Sequence, residues 1–300
     1  MSAMETAETL AQVLAITRIK KRGLSQPDRV QALLDSADPH EVLADITGPA
    51  LLDDPSLSQA RRDVRDWLAQ GMGLVSVLSD QYPARLRDVR EAPALLYYQG
   101  DLDPADQGVC VVGSRDADDD ALRVADYVAR ALIEAGLTVV SGLAAGIDTA
   151  AHTAALDSGE RTVAVMGTGL GRTYPAANKN LRERIVANRG LVMTQFEPST
   201  AVKPANFPMR NAVMSGYGIT TFVVAASERS GTRSQTRNAV KHGRGVVLAR
   251  RVAETTSWGR ELARTGQARV ADSTSDVLDQ VRALQAERAQ AEELLRELVA

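Results

Sequence analysis

Apolar positions in this chain follow two alternating patterns. Short uninterrupted apolar runs, such as residues 109–112 and 162–166, are separated by stretches with apolar residues at helical spacing. A run with no polar alternation predicts a strand covered on both faces, as in a parallel sheet. Strands are expected at 109–113, 137–141, 162–166, 190–194, 220–225 and 245–249, and helices at 119–135, 145–158, 178–188, 208–216 and 232–242. This alternation predicts an α/β fold, a Rossmann-like doubly wound parallel sheet.

The front of the chain reads differently. Leu10, Val13, Leu14 and Thr17 recur at helical spacing, as do Val30, Leu33 and Leu34, then Val42, Leu43 and Ile46, then Val64, Trp67 and Leu68. These predict a small helical, SAM-like domain over residues 1–70. Residues 73–77 and 95–98 are short strand candidates around the Asp80-Gln81-Tyr82-Pro83 turn. They belong to a second domain, 71–272, whose regular alternation starts near Gly108. Residues 273–300 form a terminal helix. Val277, Leu278, Val281, Leu284, Leu294, Leu295 and Leu298 cluster toward its two ends and 285–293 is polar, so the ends are expected to pack.

Composition narrows the class. A hydrophobic fraction of 44% is ordinary for a globular protein. No apolar run approaches the roughly 20 residues of a membrane span, and the opening MSAMETAETLAQ lacks the basic region of a secretory signal. The single cysteine, Cys110, lies in an apolar run and reads as a core thiol. The expectation is a cytoplasmic protein with no membrane partner, metal or cofactor. Net charge is −3, yet segment 203–251 holds nine basic residues and one acid, a local +8 that leaves −11 elsewhere. Such an excess either attracts a polyanion or is a solvated basic face.

Candidate chemistry sits where the apolar runs end. Gly113-Ser114-Arg115, Ser141-Gly142 with Gly146, and Gly167-Thr168-Gly169 each follow a strand and precede a helix. Glycines let backbone N–H groups approach a phosphate, and a helix N-terminus adds a favourable dipole. Neither the G-x-G-x-x-G fingerprint after the first strand nor the G-x-x-x-x-G-K-[ST] loop is present.

The order of motifs resembles the DNA-processing protein A (DprA, or Smf) family. It runs Gly113-Ser114-Arg115, Ser141-Gly142-Leu143-x-x-Gly146-Ile147-Asp148-x-x-Ala151-His152, Gly167-x-Gly169-Leu170 and Tyr174-Pro175-x-x-Asn178. It continues through Asn206-Phe207-Pro208-x-Arg210-Asn211, Ser215-Gly216 and Glu228-x-Ser230-Gly231. The resemblance covers about residues 73–280 and implies a Rossmann-like domain that binds single-stranded DNA without catalysis. It also implies a homodimer that hands DNA to the recombinase RecA in recombination and transformation.

The residues fit such a binder. Arg115 can fork onto a phosphate, and Ser141 and Gly142 can offer donors to the next one. Asn178 and Lys179 open a helix beside them. Asn206, Phe207, Arg210 and Asn211 combine an aromatic ring with a cation, the usual recipe for single strands; Phe207 before Pro208 also reads as an apolar staple. Ser230, Gly231 and Thr232 make a further N–H-rich turn. Asp148 and His152, four apart on one helix, read as a structural pair.

Three departures from the family pattern stand out. Family members commonly continue Ser230-Gly231 with Ser/Ala-Leu-Ile-Thr-Ala, where this chain has Thr232-Arg233-Ser234-Gln235-Thr236. Asp116, Asp118, Asp119 and Asp120 crowd the loop after Arg115, where they either repel DNA or cap the helix. The chain ends in one helix, so the common C-terminal winged helix is expected to be lacking. The alternative is a SLOG-type sensor of a nucleotide-derived ligand, or a phosphoribohydrolase. Hydrolases of that kind carry a G-G-x-G-T-x-x-E turn, but here the acid position is Gln235 and the nearest spare carboxylate is Glu228.

Overall fold

The computed structural model describes residues 5–48 and 55–299. Residues 1–4, 49–54 and 300, which fall in the expected helical segment and tail, lie outside the described residues. Helices α1 (Ala7–Arg18), α2 (Gln26–Ser36), α3 (Pro39–Thr47) and α4 (Pro55–Ala69) come first. Then follow β1 (Gly73–Ser76), α5 (Ala84–Arg87), β2 (Leu95–Gly100), β3 (Gly108–Gly113), α6 (Asp119–Glu134), β4 (Thr138–Ser141) and α7 (Ile147–Asp157). Next come β5 (Thr162–Val165), α8 (Lys179–Ala187), β6 (Leu191–Thr194), α9 (Asn206–Tyr217), β7 (Thr220–Ala225), α10 (Thr232–Lys241) and β8 (Gly245–Ala249). The chain closes with α11 (Arg250–Thr255), α12 (Ser257–Arg264), β9 (Arg269–Ala271) and α13 (Thr274–Val299).

The nine strands form one sheet in the order β1-β2-β6-β5-β4-β3-β7-β8-β9. Every pairing is parallel except β1 with β2 and β2 with β6. The doubly wound, Rossmann-like sheet expected from the sequence is therefore present, and its six central strands lie at the expected positions. Side-chain alternation along β3 explains the uninterrupted apolar runs. Val109 and Val111 pack with Ala125, Val128 and Leu132 of α6, Ile147 and Ala151 of α7, and Val277 and Val281 of α13. Cys110 and Val112 face the other core, with Val213 and Met214 of α9. Both faces are covered, so neither tolerates polar residues.

The structure differs from the sequence reading at the margins. The strands at 73–76 and 95–100 extend the main sheet, with Tyr97 and Tyr98 opposite Thr194 and Met193. Strand β9 and helices α11 and α12 carry too few apolar residues in sequence to be seen. Leu34 and Leu68 are exposed on their helices, and of α13 only the first half packs: Leu294, Leu295 and Leu298 are exposed.

Apolar residues of α1–α4, including Leu10, Val13, Leu33 and Val64, share a core with Leu74, Leu96 and Tyr97 of the sheet edge. Arg18 fastens this contact. Its Nε and Nη2 donate to the two carboxylate oxygens of Glu197 at 2.9 and 2.7 Å, its Nη1 donates to Asp63 at 2.6 Å, and its guanidinium lies over Trp67. Both carboxylates raise the Arg18 pKa further. Hydrogen bonds to charged groups are the stronger kind. Arg18→Ala is expected to lower unfolding free energy by about 1.5–3 kcal/mol in urea titration; an unchanged value would show that apolar packing alone holds these helices.

Candidate nucleic-acid interface

From β3 the chain winds outward through β4, β5 and β6, then crosses back to place β7 on the other side of β3. Strand order reverses between β3 and β7, and open parallel sheets bind ligands outside the carboxyl ends at such a point. A cavity of about 370 Å³ lies there. Its walls are Gly113, Ser114 and Arg115 after β3, Ser230, Gly231 and Thr232 after β7, and Phe207, Arg210 and Asn211 of α9. A larger cavity, about 890 Å³, opens at the amino ends of β7, β8 and β9 against α13. Arg85, Arg244, Arg269 and Arg288 line it beside Asp88 and Glu287, at the end of the strands opposite the switch-point loops.

Local contacts fix the cleft. Ser114 N–H donates to Ala225 O at 2.9 Å, and Ser114 O accepts from Ile147 N–H at 3.2 Å, so the loop after β3 is tied to β7 and α7. Gly146, at φ +75°, passes so close that a Cβ would lie 2.4 Å from Ser114 O; only glycine fits. The exposed Arg115 guanidinium sits 5.0 Å from the centre of the Phe207 ring. The same ring tilts against Tyr174, 5.8 Å away, and rests on Gly167.

Beneath the cleft lies a buried charged layer. Arg210 is 6% exposed; its Nη1 donates to Val165 O at 2.9 Å and its Nε has no partner. Gly142 packs against it, with a Cβ position only 1.5 Å from Nη1. Asp148 accepts from Gly142 N–H at 3.1 Å and Ala144 N–H at 3.2 Å. Burial pushes the Asp148 carboxyl up, and the Arg210 charge pulls it back. Burial lowers the Arg210 pKa, Asp148 raises it, and the nearby charge of Arg115 lowers it again. Asn178 holds the same turn through Nδ2, which donates to Leu143 O, Ala144 O and Thr149 Oγ1.

The model of the family described as DNA recombination-mediator protein A matches residues 73–282. The chain belongs to this family, the DprA proteins. It is 37% identical over 247 residues to the DNA processing protein DprA of Streptococcus pneumoniae, covering 77% of this chain and 84% of that protein. The crystal structure of DprA from S. pneumoniae superposes with a TM-score of 0.71 at 30% identity, over 93% of this chain and 98% of that one. Protein Smf of Synechocystis is 37% identical over 170 residues, which are 55% of this chain and 42% of that protein. DNA processing protein A of Helicobacter pylori, whose structure is described as giving insight into its single-stranded DNA binding mode, shares the fold at a TM-score of 0.62 and 22% identity. The match to it covers 72% of this chain and 96% of that one.

Among DprA motif residues, the fold separates those facing the cleft from those building it. Ser114, Arg115, Phe207, Ser230, Gly231 and Thr232 reach the cavity, and Gly231 borders open space. Ser141 and Gly142 do not present donors, contrary to expectation: the Ser141 hydroxyl donates to Val111 O at 2.7 Å, and the Gly142 N–H is held by Asp148. Asn178, Asn206 and Asn211 spend their amides on backbone carbonyls. Gly113, Gly167 and Gly169 serve close packing against Ile147, Phe207 and the carbonyls of Glu197 and Pro198. Lys179 lies in another groove, with Arg182 and Glu183. Phe207 is not an open stacking platform, because Arg115 covers one face. Asp148 and His152 do not bond to each other: His152 Nδ1 pairs with Thr162 Oγ1 at 2.8 Å.

The charge segments also resolve. Arg210 and Arg244 are buried, while Lys241, Arg250 and Arg251 pair with Glu91, Asp272 and Asp118. Lys203, Arg229, Arg233 and Arg237 are left without an ion pair among the described residues. Asp118 caps α6 by accepting from Ala121 N–H at 2.9 Å, and Asp120 pairs with Arg123. Two carboxylates of the acidic loop are thus occupied locally. Sequence reasoning missed Gln235, Met214 and Asp148 as cavity residues; the glycine following Ser141 was the one clue to the buried arginine below it.

Gly142→Ala would displace Arg210 and is expected to cost about 1–3 kcal/mol of stability, read by urea unfolding; a neutral effect would mean that Arg210 moves freely. His152 gives a pH dependence. Thr162 Oγ1 donates to Val139 O, so His152 Nδ1–H donates to Thr162 and Nε2 stays bare and buried. Burial, then the Arg210 charge, lower its pKa from 6.5 to about 3. The unfolded chain therefore takes up this proton first, and stability present above pH 6.5 is lost as pH falls toward 3. His152→Gln is expected to lose less stability than the parent over that window; parallel curves would contradict the assignment.

Proposed function

We propose that this protein binds single-stranded DNA, without cleaving it, in the cleft between β3 and β7. One observation carries the reading. Two guanidiniums, Arg115 and Arg210, line one cavity: Asp148 on the same wall supports the buried Arg210 charge and the Arg115 charge opposes it, while the exposed Arg115 has no ion pair among the described residues. A phosphate at that place relieves the repulsion and gains the N-terminal dipole of α10. Lys203, Arg229 and Arg237, all exposed on the same segment, extend the positive surface for neighbouring phosphates. Arg115 stacked on Phe207 offers a flat cationic face to a base.

The phosphoribohydrolase alternative relies on a carboxylate free to activate water. The cavity's Asp148 accepts from two backbone N–H groups, and Glu228 bonds Ser257. Membership of the DprA family supports the further reading of a cytoplasmic homodimer that passes its strand to a RecA-type recombinase in recombination and transformation. Among the described residues no helix is long and apolar enough to cross a membrane.

A titration of labelled single-stranded oligonucleotide, duplex and free nucleotides over a salt series tests this. With about four phosphate contacts, log Kd against log salt is expected to have a slope of magnitude near 3. Arg115→Ala is expected to cost about 1.5–3 kcal/mol of affinity and to flatten that slope by about 0.7. Undetectable strand binding at low salt, or a folded Arg115→Ala protein with unchanged Kd, would refute the proposal.

A further inference from the structure

An ion pair joins the helical front of the chain to a loop that leads into the cleft wall. Glu197, which takes both fork bonds of Arg18, stands in loop 195–205 between β6 and α9. The family model begins at residue 73, so Glu197 lies inside the matched span and Arg18 before it. Both side chains are half-buried. A fork of two parallel N–H···O bonds fixes how a carboxylate is oriented as well as where it lies.

Loop 195–205 holds no helix or strand, so its shape comes from what it touches. Thr200 N–H donates to Glu197 O at 2.8 Å and closes a turn. Two bonds pin that turn to the loop after β5: Gly169 N–H donates to Thr200 O at 3.1 Å, and Gly171 N–H to Pro198 O at 2.9 Å. The two loops pass so close that a Cβ on Gly169 would lie 2.1 Å from Glu197 O. At the far end of the loop, Asn206 Nδ2 donates to Ala201 O and to Gly167 O. The next residue is Phe207, whose ring lies against Gly167 and under Arg115. Contacts therefore run without a gap from α1 to the exposed guanidinium of the cleft. A half-buried carboxylate that loses its cation gains by turning to water, and the Glu197 turn would move with it.

We infer that Arg18 is a positioning residue for strand binding: through Glu197 it holds loop 195–205, and with it the Phe207 ring that presents Arg115. This rests on the single-strand reading above. Arg18 itself touches no strand. The helical front thereby sets the shape of a cleft to which it contributes no wall.

The test is the Kd for a single-stranded oligothymidylate, measured on the whole protein and its variants at one salt concentration, each variant first shown to be folded by circular dichroism. Arg18→Gln and Glu197→Ala are each expected to weaken binding by about 3- to 10-fold, and the double variant by no more than either one. Asp63→Asn removes the other ion pair of Arg18, inside the helical front, and is expected to leave Kd unchanged. Without DNA, amide exchange at 167–175 and 195–207 is expected to speed up in Arg18→Gln. Unchanged Kd in Glu197→Ala overturns the inference, since the loop would then not depend on the fork. Recovery of affinity in the double variant also overturns it, because the freed carboxylate would be repelling the strand. Equal weakening by Asp63→Asn overturns it in favour of general loosening of the helices, and unchanged exchange in the two loops overturns it as well. No strand binding by the wild type removes the single-strand reading itself, and this inference with it. If Arg18→Gln fails to fold, Glu197→Ala decides alone.

Discussion

The candidate site depends on a guanidinium that is almost fully buried at the floor of a cleft. Arg210 lies under the turn that follows β4, against a glycine that has no room for a side chain. A buried cation is stable only with opposite charge or carbonyl dipoles around it. Val165 O supplies a dipole and Asp148 supplies the charge. Asp148 in turn holds the backbone of the turn through Gly142 and Ala144. One layer of polar contacts thus fixes the turn, orients α9 and places a guanidinium at the floor of the cleft.

This layering explains why many motif residues do not face a ligand. A cleft at a switch point is made of loops, and loops hold a shape only when their backbone groups are satisfied. Asn178, Asn206 and Asn211 perform that task with side-chain amides, and Ser141 with its hydroxyl. Arg115 keeps an exposed guanidinium on the cavity wall, while Ser230 and Thr232 reach the same wall but bond each other. In the acidic loop after Arg115, Asp118 and Asp120 are turned to the helix cap and to neighbouring arginines.

The central sheet was legible because covered strands need continuous apolar runs and glycine turns mark their ends. Strands at 109–113 and 220–225 could be read this way because charged residues are absent from both and β-branched or other apolar side chains fill both faces. Strand β9 and helices α11 and α12 could not, since short half-exposed elements carry no period. The site was legible as a location and less so as a mechanism. The motif identifies Arg115 and Arg210 alike, yet sequence cannot say that one is exposed on an aromatic ring and the other buried beneath a glycine. The +8 count likewise counted charges without seeing that Arg250, Arg251 and Lys241 are paired. Gln235 drew attention only as a missing acid; its unsatisfied carbonyl is a three-dimensional fact.

The most direct test of the account is to locate the strand on the protein. Amide hydrogen exchange of the full chain, with and without a saturating single-stranded oligonucleotide, reports which backbone segments are covered. The account expects added protection in the loop after β3, at the start of α9 and at the N-terminus of α10, with the amino ends of β8 and β9 unchanged. Protection centred on the larger cavity beside α13, with none at Arg115 or the Ser230-Gly231-Thr232 turn, would contradict it.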